Sequence, residues 1–514
     1  MSSPMPTHQT TDRLDSRSQA TVQPAVGEPK RRVATRRSRP GNQSLPAHHR
    51  ARRLTACFRS SSNVRGPSHG DPTAPRYRRR KRRESATPER LRLPQIGKPV
   101  YNPRLVVVTT RPVVRETPPL PANEESPSKL AGGSGWLERI FARETSGGEL
   151  LRHVDGLRCI AILCVLVYHI NGFTVAKTQH PHDTTAETDL LCRVFAEGHV
   201  GVQLFFVISG FILALPFARQ HVAGGRQVRL GDYFLRRVIR LEPPYLIALS
   251  IMTAMAVLVQ GERLGDLLPH LIASAVYGHY LLYGRGSDIL PVAWSLEIEA
   301  QFYLLAPLLA AVFRLPTSSL RRGALLIAIV TAGGLQSLAD FPAHSPMHGW
   351  TILSAIHWFL AGFLLAEFQL AGDLGVSPRS MLWDIAGCVA WAALFLVVQQ
   401  RFHLHVLGPL LTLVAYAAAF KGGRTRNLLS HPAIYVVGGM CYTIYLYHGL
   451  LKAALGRATI GLHASRFLGV DSAVQIAVLI PPILAICCGL FLAFEKPFMS
   501  RSLFEAARRK LGLS

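Results

Sequence analysis

An arginine and a histidine stand eleven positions apart in LRCIAILCVLVYHI, residues 157–170, a run otherwise made almost wholly of apolar side chains. Eleven steps of an α-helix turn through roughly 1100°, about 20° past three full turns, and rise about 16 Å. Arg158 and His169 therefore share one helix face, separated by half of the roughly 30 Å hydrocarbon thickness of a bilayer. A guanidinium is a rigid fork of charged donors suited to phosphate, and a neutral imidazole is suited to proton transfer near pH 7. The spacing is either incidental to a membrane anchor or the sign of a site stretched along one helix.

Two further apolar stretches carry groups of the same kind. AWSLEIEAQFYLL, 293–305, holds Glu297 and Glu299, and YVVGGMCYTIYLYHGLL, 435–451, holds His448. Charged groups inside a span cost about 2.5–3.5 kcal/mol each on insertion, so they tend to mark sites or pathways. Each sharp reading has a bland one beside it. His448 alone reads equally well as an interhelical hydrogen bond. Arg236, Arg237 and Arg240 read equally well as charge that holds a loop on the cytoplasmic side. GVQLFFVISGFIL, 201–213, reads first as a span whose Gly201, Ser209 and Gly210 permit close packing. Glu297 and Glu299 lie two apart on a helix and point in different directions, so at most one of them faces a site.

The elements that must position these groups are membrane helices. The chain has 514 residues, 49% of them hydrophobic, and strongly apolar segments begin near 157, 199, 241, 291, 323, 350, 381, 404, 433 and 473. Each is long enough, or nearly so, to cross a bilayer. A weaker stretch at 267–283 contains His270 and His279 and is left out of the span count, because including it would place RLPTSSLRRG on the wrong side. The remaining ten spans put the basic loops together on one side and both termini in the cytoplasm. Span one then runs outward, with Arg158 near the cytoplasmic face and His169 beyond the midplane. Glu299 and His448 fall in the same outer half. The fold class expected is an all-α polytopic membrane bundle of about ten transmembrane helices.

Charge divides the chain. Of its 57 Lys and Arg and 31 Asp and Glu, 29 and 11 fall within residues 1–148, leaving 28 and 20 for the rest. Residues 1–148 are rich in Arg, Pro and Ser with no sustained apolar period, so they are expected to be a disordered, basic cytoplasmic segment. No apolar core of a secretory signal is present there. No aromatic or base-reading pattern accompanies the arginines, so no nucleic-acid partner is expected. The eight cysteines show no C-x-x-C or Cys/His spacing, so neither disulfides nor a metal is indicated.

Taken together these stretches resemble the acyltransferase-3 family of integral membrane O-acyltransferases. DGLRCIAILCVLVYHI is similar to the family's first span, with its Arg-x10-His matched by Arg158 and His169. GVQLFFVISGFIL resembles its second motif, with Gln203 where Asp is usual. LRRVIRLEPPYLIAL resembles the cytoplasmic Arg-x-x-Arg stretch, matched by Arg237 and Arg240. AWSLEIEAQFYLLAPLL resembles the Trp-Ser-Leu-x-x-Glu-x-Gln-Phe-Tyr motif through Trp294, Ser295, Glu299, Gln301 and Tyr303, with Glu297 and Ala300 differing from the usual residues. MCYTIYLYHGLL matches Ser-Tyr-x-x-Tyr-Leu-x-His with Cys441 for Ser, and FEKPF closes the series.

The resemblance implies a membrane acyltransferase domain at 149–500, followed by a short basic cytoplasmic tail at 501–514. It implies transfer of an acyl group, acetyl by default, from cytoplasmic acyl-coenzyme A (acyl-CoA) to a hydroxyl of an extracytoplasmic glycan or glycoconjugate, in a bacterial cytoplasmic membrane. Arg158, Arg237 and Arg240 would hold the coenzyme A phosphates. His169 would be the general base, or would carry the acyl group itself. Glu299 would orient its imidazole and His448 would complete the catalytic set. Trp294, Ser295 and Tyr303 would contact substrate. Some family members carry a further esterase-like domain, and none is expected in the roughly 20 residues after the last span. The alternative from another class is a transporter or flippase of a glycoconjugate, in which the same charges line a permeation path. A third is a scaffold whose basic segment recruits an anionic partner. Acyl-CoA turnover by the purified protein separates the first reading from both.

Overall fold

The structure is a computed structural model that describes residues 135–143, 151–339, 351–375, 377, 380–398 and 401–512. The basic segment therefore lies outside the described residues except for 135–143. Those nine residues, expected to lack a core, begin with a short helix, α1 (Gly135–Phe141). Its order comes from partners far along the chain: the Tyr435 hydroxyl donates to Glu138 and Lys496 Nζ donates to the Ile140 carbonyl at 2.5 Å.

The chain is all-α. In order follow α2 (Arg152–Lys177), α3 (Leu190–Ala196), α4 (Gly201–Val222), α5 (Leu230–Gln260), α6 (Leu264–Ala275), α7 (His279–Tyr283) and α8 (Trp294–Leu309). Then come α9 (Ser318–Ala339), α10 (Ile352–Leu370), α11 (Ser380–Val398), α12 (Arg401–Lys421), α13 (Gly423–Leu429), α14 (Pro432–Gly439), α15 (Cys441–Thr459), α16 (Leu468–Leu490) and α17 (Arg501–Lys510). Among the described residues eight helices, some continued by short flanking turns, are long and apolar enough to cross a membrane; α14 and α15, counted as one bent span, make nine. The expected count was ten. The span expected from 323 falls on α9, whose 22 residues reach across a bilayer in length but include Arg321, Arg322 and Gln336. The stretch 267–283 forms two short helices, α6 and α7, neither long enough to span.

Helices in a bilayer gain little from hydrophobic contact with one another, so close approach depends on small residues. A Cβ at Gly210 of α4 would collide with the Phe359 carbonyl of α10, and one at Gly362 would collide with the Val207 carbonyl. Absence of both lets the two backbones touch. Gly438 does the same for α14, which presses on α2 at the Asp155 carbonyl. Just beyond it the chain turns by 74° between α14 and α15. The first turn of α15 is secured by buried Glu495, from a π-helical turn at Phe491–Glu495, which accepts from Thr443 N at 3.0 Å and from its hydroxyl at 2.5 Å. This bend sets the direction in which Cys441, Tyr445 and His448 project from α15.

Candidate active site

Two cavities meet inside the bundle. The larger, about 910 Å³, lies between the start of α5, the end of α4 and α17, and nine arginines line it, among them Arg219, Arg226, Arg229 and Arg501. The smaller, about 260 Å³, is walled by Val202, Phe206 and Leu213 of α4 and by residues of α8 and α15. Ile212, Arg236, Arg237 and Arg240 line both, so the arginines stand where the two adjoin. Their spacing on α5 brings this about: positions three and four apart share a helix face.

The arginines are held in different ways. Arg237 lies over the Tyr233 ring, 3.6 Å from its centroid, and donates from Nη1 to the Tyr233 carbonyl at 2.5 Å. Arg236 faces the Phe504 ring of α17 at 5.0 Å. The Nε groups of Arg237 and Arg240 are buried and have no hydrogen-bond partner among the described residues. Arg158 lines the smaller cavity and is paired with Asp155, a buried carboxylate that also accepts from Arg143 Nε at 3.1 Å. The segment 501–514, expected as a short basic tail, contains α17, tied to α5 through Arg508 and Asp232 at 3.1 Å.

The two carboxylates of α8 diverge. Glu299 lines the smaller cavity and accepts from Ser209 Oγ at 2.6 Å. Glu297 is fully buried and accepts from Tyr280 N at 2.8 Å, outside the cavity lining. Ser295 lines the cavity beside Tyr445, with 2.6 Å between the hydroxyls, and the Tyr445 hydroxyl donates to the Val292 carbonyl at 2.9 Å. Tyr303 is also in the lining, whereas Trp294 packs against the hydrophobic core. Gln301 accepts from Ile352 N at 2.9 Å and so anchors the start of α10.

His169 and His448 come together, with ring centroids 4.9 Å apart. Neither lines the cavities; Tyr445 links them to it, its ring 5.9 Å from that of His448. His448 Nδ1 lies 2.8 Å from the Tyr445 carbonyl and 3.2 Å from that of Ile444. A carbonyl only accepts, so the proton of neutral His448 sits on Nδ1 and the buried Nε2 is left with a bare lone pair. Nε2 has no partner among the described residues. Among the described hydrogen bonds and ion pairs none joins Glu299 to His169, the pairing expected from sequence; Ser209 occupies Glu299 instead. Ser209, Tyr442 and Tyr445 were not singled out beforehand as site residues. Their signal in the sequence lies in the motifs themselves: both tyrosines belong to Cys441-Tyr-x-x-Tyr-Leu-x-His448 and Ser209 to GVQLFFVISGFIL.

Comparison with known proteins gives the family. The acyltransferase-3 family, described as an acyltransferase domain, matches residues 151–494, which contain every residue of the two cavities and the histidine pair named in this site except Arg143 and those of α17. The chain is 27% identical over 328 residues to the exopolysaccharide production protein ExoZ of Rhizobium meliloti (strain 1021), covering 62% of this chain and 95% of that one. It is 29% identical over 331 residues to the peptidoglycan O-acetyltransferase OatA of Listeria monocytogenes serovar 1/2a, covering 57% and 48%. The Staphylococcus aureus (strain COL) protein SACOL0978, named as a candidate O-acetyltransferase, is 20% identical over 319 residues, covering 57% and 49%. The chain thus spans about half the length of the Staphylococcus and Listeria relatives it matches. No solved structure matches it. With the family covering well over half of the chain, including the converging histidines, the Glu299 cavity and the arginine collar, this protein belongs to the acyltransferase-3 family.

Proposed function

We propose that the protein is an integral membrane O-acyltransferase, moving an acyl group, acetyl by default, from cytoplasmic acyl-CoA to a hydroxyl of an extracytoplasmic glycan or glycoconjugate. The observation that carries this reading is the pair of buried, unpartnered Nε groups on Arg237 and Arg240 at the junction of the two cavities. A buried donor left unmade costs about 1–3 kcal/mol, more when charged, and an anionic ligand would satisfy both. A nucleotide diphosphate in the arginine-lined cavity supplies such an anion. The narrower, mostly apolar cavity then suits a pantetheine arm reaching toward Ser295, Glu299 and Tyr445.

In this reading both termini are cytoplasmic and the bundle has ten spans, α9 included, in a bacterial cytoplasmic membrane. Residues 1–148 form a basic cytoplasmic extension. Arg158, paired with Asp155, contributes positive charge to the smaller cavity rather than a free donor. His169 removes the proton of the acceptor hydroxyl as its oxygen attacks the thioester carbonyl, and the thiolate leaves. His448, with Nδ1 tied to a carbonyl and a bare Nε2 facing the neighbouring ring, offers an acceptor for a His169 proton during transfer. Glu299, held by Ser209, binds a polar group of the donor arm, and Tyr303 and Ser295 contact it. The names of two relatives, an exopolysaccharide production protein and a peptidoglycan O-acetyltransferase, point to a cell-surface polymer as acceptor.

Purified protein in lipid nanodiscs, incubated with acetyl-CoA radiolabelled in the acetyl group, tests the donor. Saturable binding with slow release of free coenzyme A is expected. Absence of both, in protein that elutes as a single folded species, would remove acyl-CoA from the reading and favour a transporter. Mass spectrometry of surface glycans from a deletion strain then identifies the acceptor through a lost acyl mass.

A further inference from the structure

At the end of α2 opposite Arg158, the segment after Lys177 meets the segment between α15 and α16 around Asp471. This carboxylate is only 2% exposed. Its Oδ1 accepts from the backbone N–H groups of Ala464 at 2.8 Å and Ser465 at 3.0 Å. Its Oδ2 lies 3.0 Å from His182 Nε2 and 3.0 Å from His463 Nδ1. The three ligand-type atoms all fall within 4.8 Å of one another. A third imidazole, His180, packs against His463, their ring centroids 3.3 Å apart.

We propose that His182, His463 and Asp471 form a binding site for one zinc-class divalent ion, with water as the fourth ligand. Four ligands around zinc at roughly 2.0–2.1 Å sit tetrahedrally, about 3.3 Å from each other. Both distances from Oδ2 to its imidazole partners, 3.0 Å each, are within a few tenths of an ångström of that spacing, and the two imidazole nitrogens lie within 4.8 Å of each other. The backbone donors on Oδ1 fix the plane of the carboxylate, as outer partners of metal ligands do. Imidazoles with one carboxylate select zinc, cobalt, nickel or copper over magnesium or calcium. His182 and His463 are 281 positions apart in the chain, so no sequence spacing could disclose the set. The ion clips the α2–α3 segment to the α15–α16 segment, where Asp183 N already donates to the Arg466 carbonyl at 2.8 Å. It is structural and has no part in acyl transfer.

The competing arrangement is a metal-free clasp in which both imidazoles donate to Asp471. The two are separated with full-length protein, purified through a tag free of histidine and stripped with a chelator. Titration with Co²⁺ should give a tetrahedral ligand-field absorption saturating at one ion per chain, lost on addition of Zn²⁺, and Zn²⁺ should raise the thermal midpoint. His182→Ala and His463→Ala, read separately in case one fails to fold, should each lower Co²⁺ affinity by more than the roughly 10–100-fold typical of losing an outer-shell partner. No cobalt absorption in the wild type, or equal binding by wild type and both histidine variants, overturns the site in favour of the clasp.

Discussion

His169 and His448 lie with ring centroids 4.9 Å apart and planes tilted by 46°, although they stand 279 positions apart in the chain. His448 is locked by the Tyr445 carbonyl into the tautomer with a bare Nε2, whereas His169 has no described hydrogen bond that fixes its own. The two rings are therefore unequal partners. His169→Ala is expected to lower transfer by roughly 10²–10⁴ while leaving acyl-CoA binding intact. His448→Ala should lower transfer too, again without loss of donor affinity. Single-turnover transfer measured beside donor binding decides. Loss of donor binding in either variant would take the histidines out of the chemistry and into the donor pocket.

Donor binding itself should depend on the arginines of α5. Arg237→Ala or Arg240→Ala removes a charged donor, an interaction of about 1.5–3 kcal/mol, and should weaken acyl-CoA binding by roughly 10- to 150-fold. Arg240→Lys should recover only part, since an ammonium cannot reproduce the guanidinium fork. Calorimetric titration with coenzyme A, compared with its dephosphorylated pantetheine fragment, reads the effect; equal weakening for both ligands would show that phosphate is not what these arginines hold.

Arg158 should behave differently from its neighbours. Its partner Asp155 is buried and also bonded to Arg143, so Arg158→Ala leaves a buried carboxylate with half its compensation. Breaking such a pair costs about 3–5 kcal/mol. A lower thermal midpoint is expected together with weaker donor binding, and Asp155→Asn combined with Arg158→Ala should restore part of the stability. A normal midpoint in the single variant would show that Asp155 is compensated elsewhere.

Topology is open to direct test. Reporter fusions after residue 190 and after residue 345 should read as extracytoplasmic, and fusions after 230 and 425 as cytoplasmic. A cytoplasmic signal at 345 would mean that α9 does not cross the membrane, and would reduce the span count from ten to nine.

Much of this architecture could be read from the chain, and the reasons differ residue by residue. The apolar runs located the long helices because a bilayer rewards little else. The apolar run from 323 gives α9 as an expected span, but the pairing of Arg321 with buried Glu367 of α10 at 2.8 Å lies beyond a one-dimensional average. Depth along each span brought His169 and His448 to one level, and they do meet. Depth says nothing about rotation, however, so the same argument expected Glu299 to reach His169 when it faces Ser209 instead. The bend between α14 and α15 was hidden for a related reason. Gly438 signals close approach, but Glu495, which secures the far side of the bend, arrives from 52 positions beyond Thr443.

The collar of Arg236, Arg237 and Arg240 at the junction of the two cavities has a consequence for the membrane itself. An enzyme that passes an acyl group across a bilayer must not become a leak for protons, on which the cell's energy depends. Fixed positive charge in a narrow constriction repels cations and protons, as arginines do in selective pores. The same residues that would grip a nucleotide would thus act as an insulator when the donor is absent. Proteoliposomes loaded with a pH-sensitive dye should hold an imposed pH gradient with the wild-type protein, and should lose it faster when Arg237 and Arg240 are both replaced by glutamine. Equal decay in the two would leave the apolar walls of the smaller cavity as the seal.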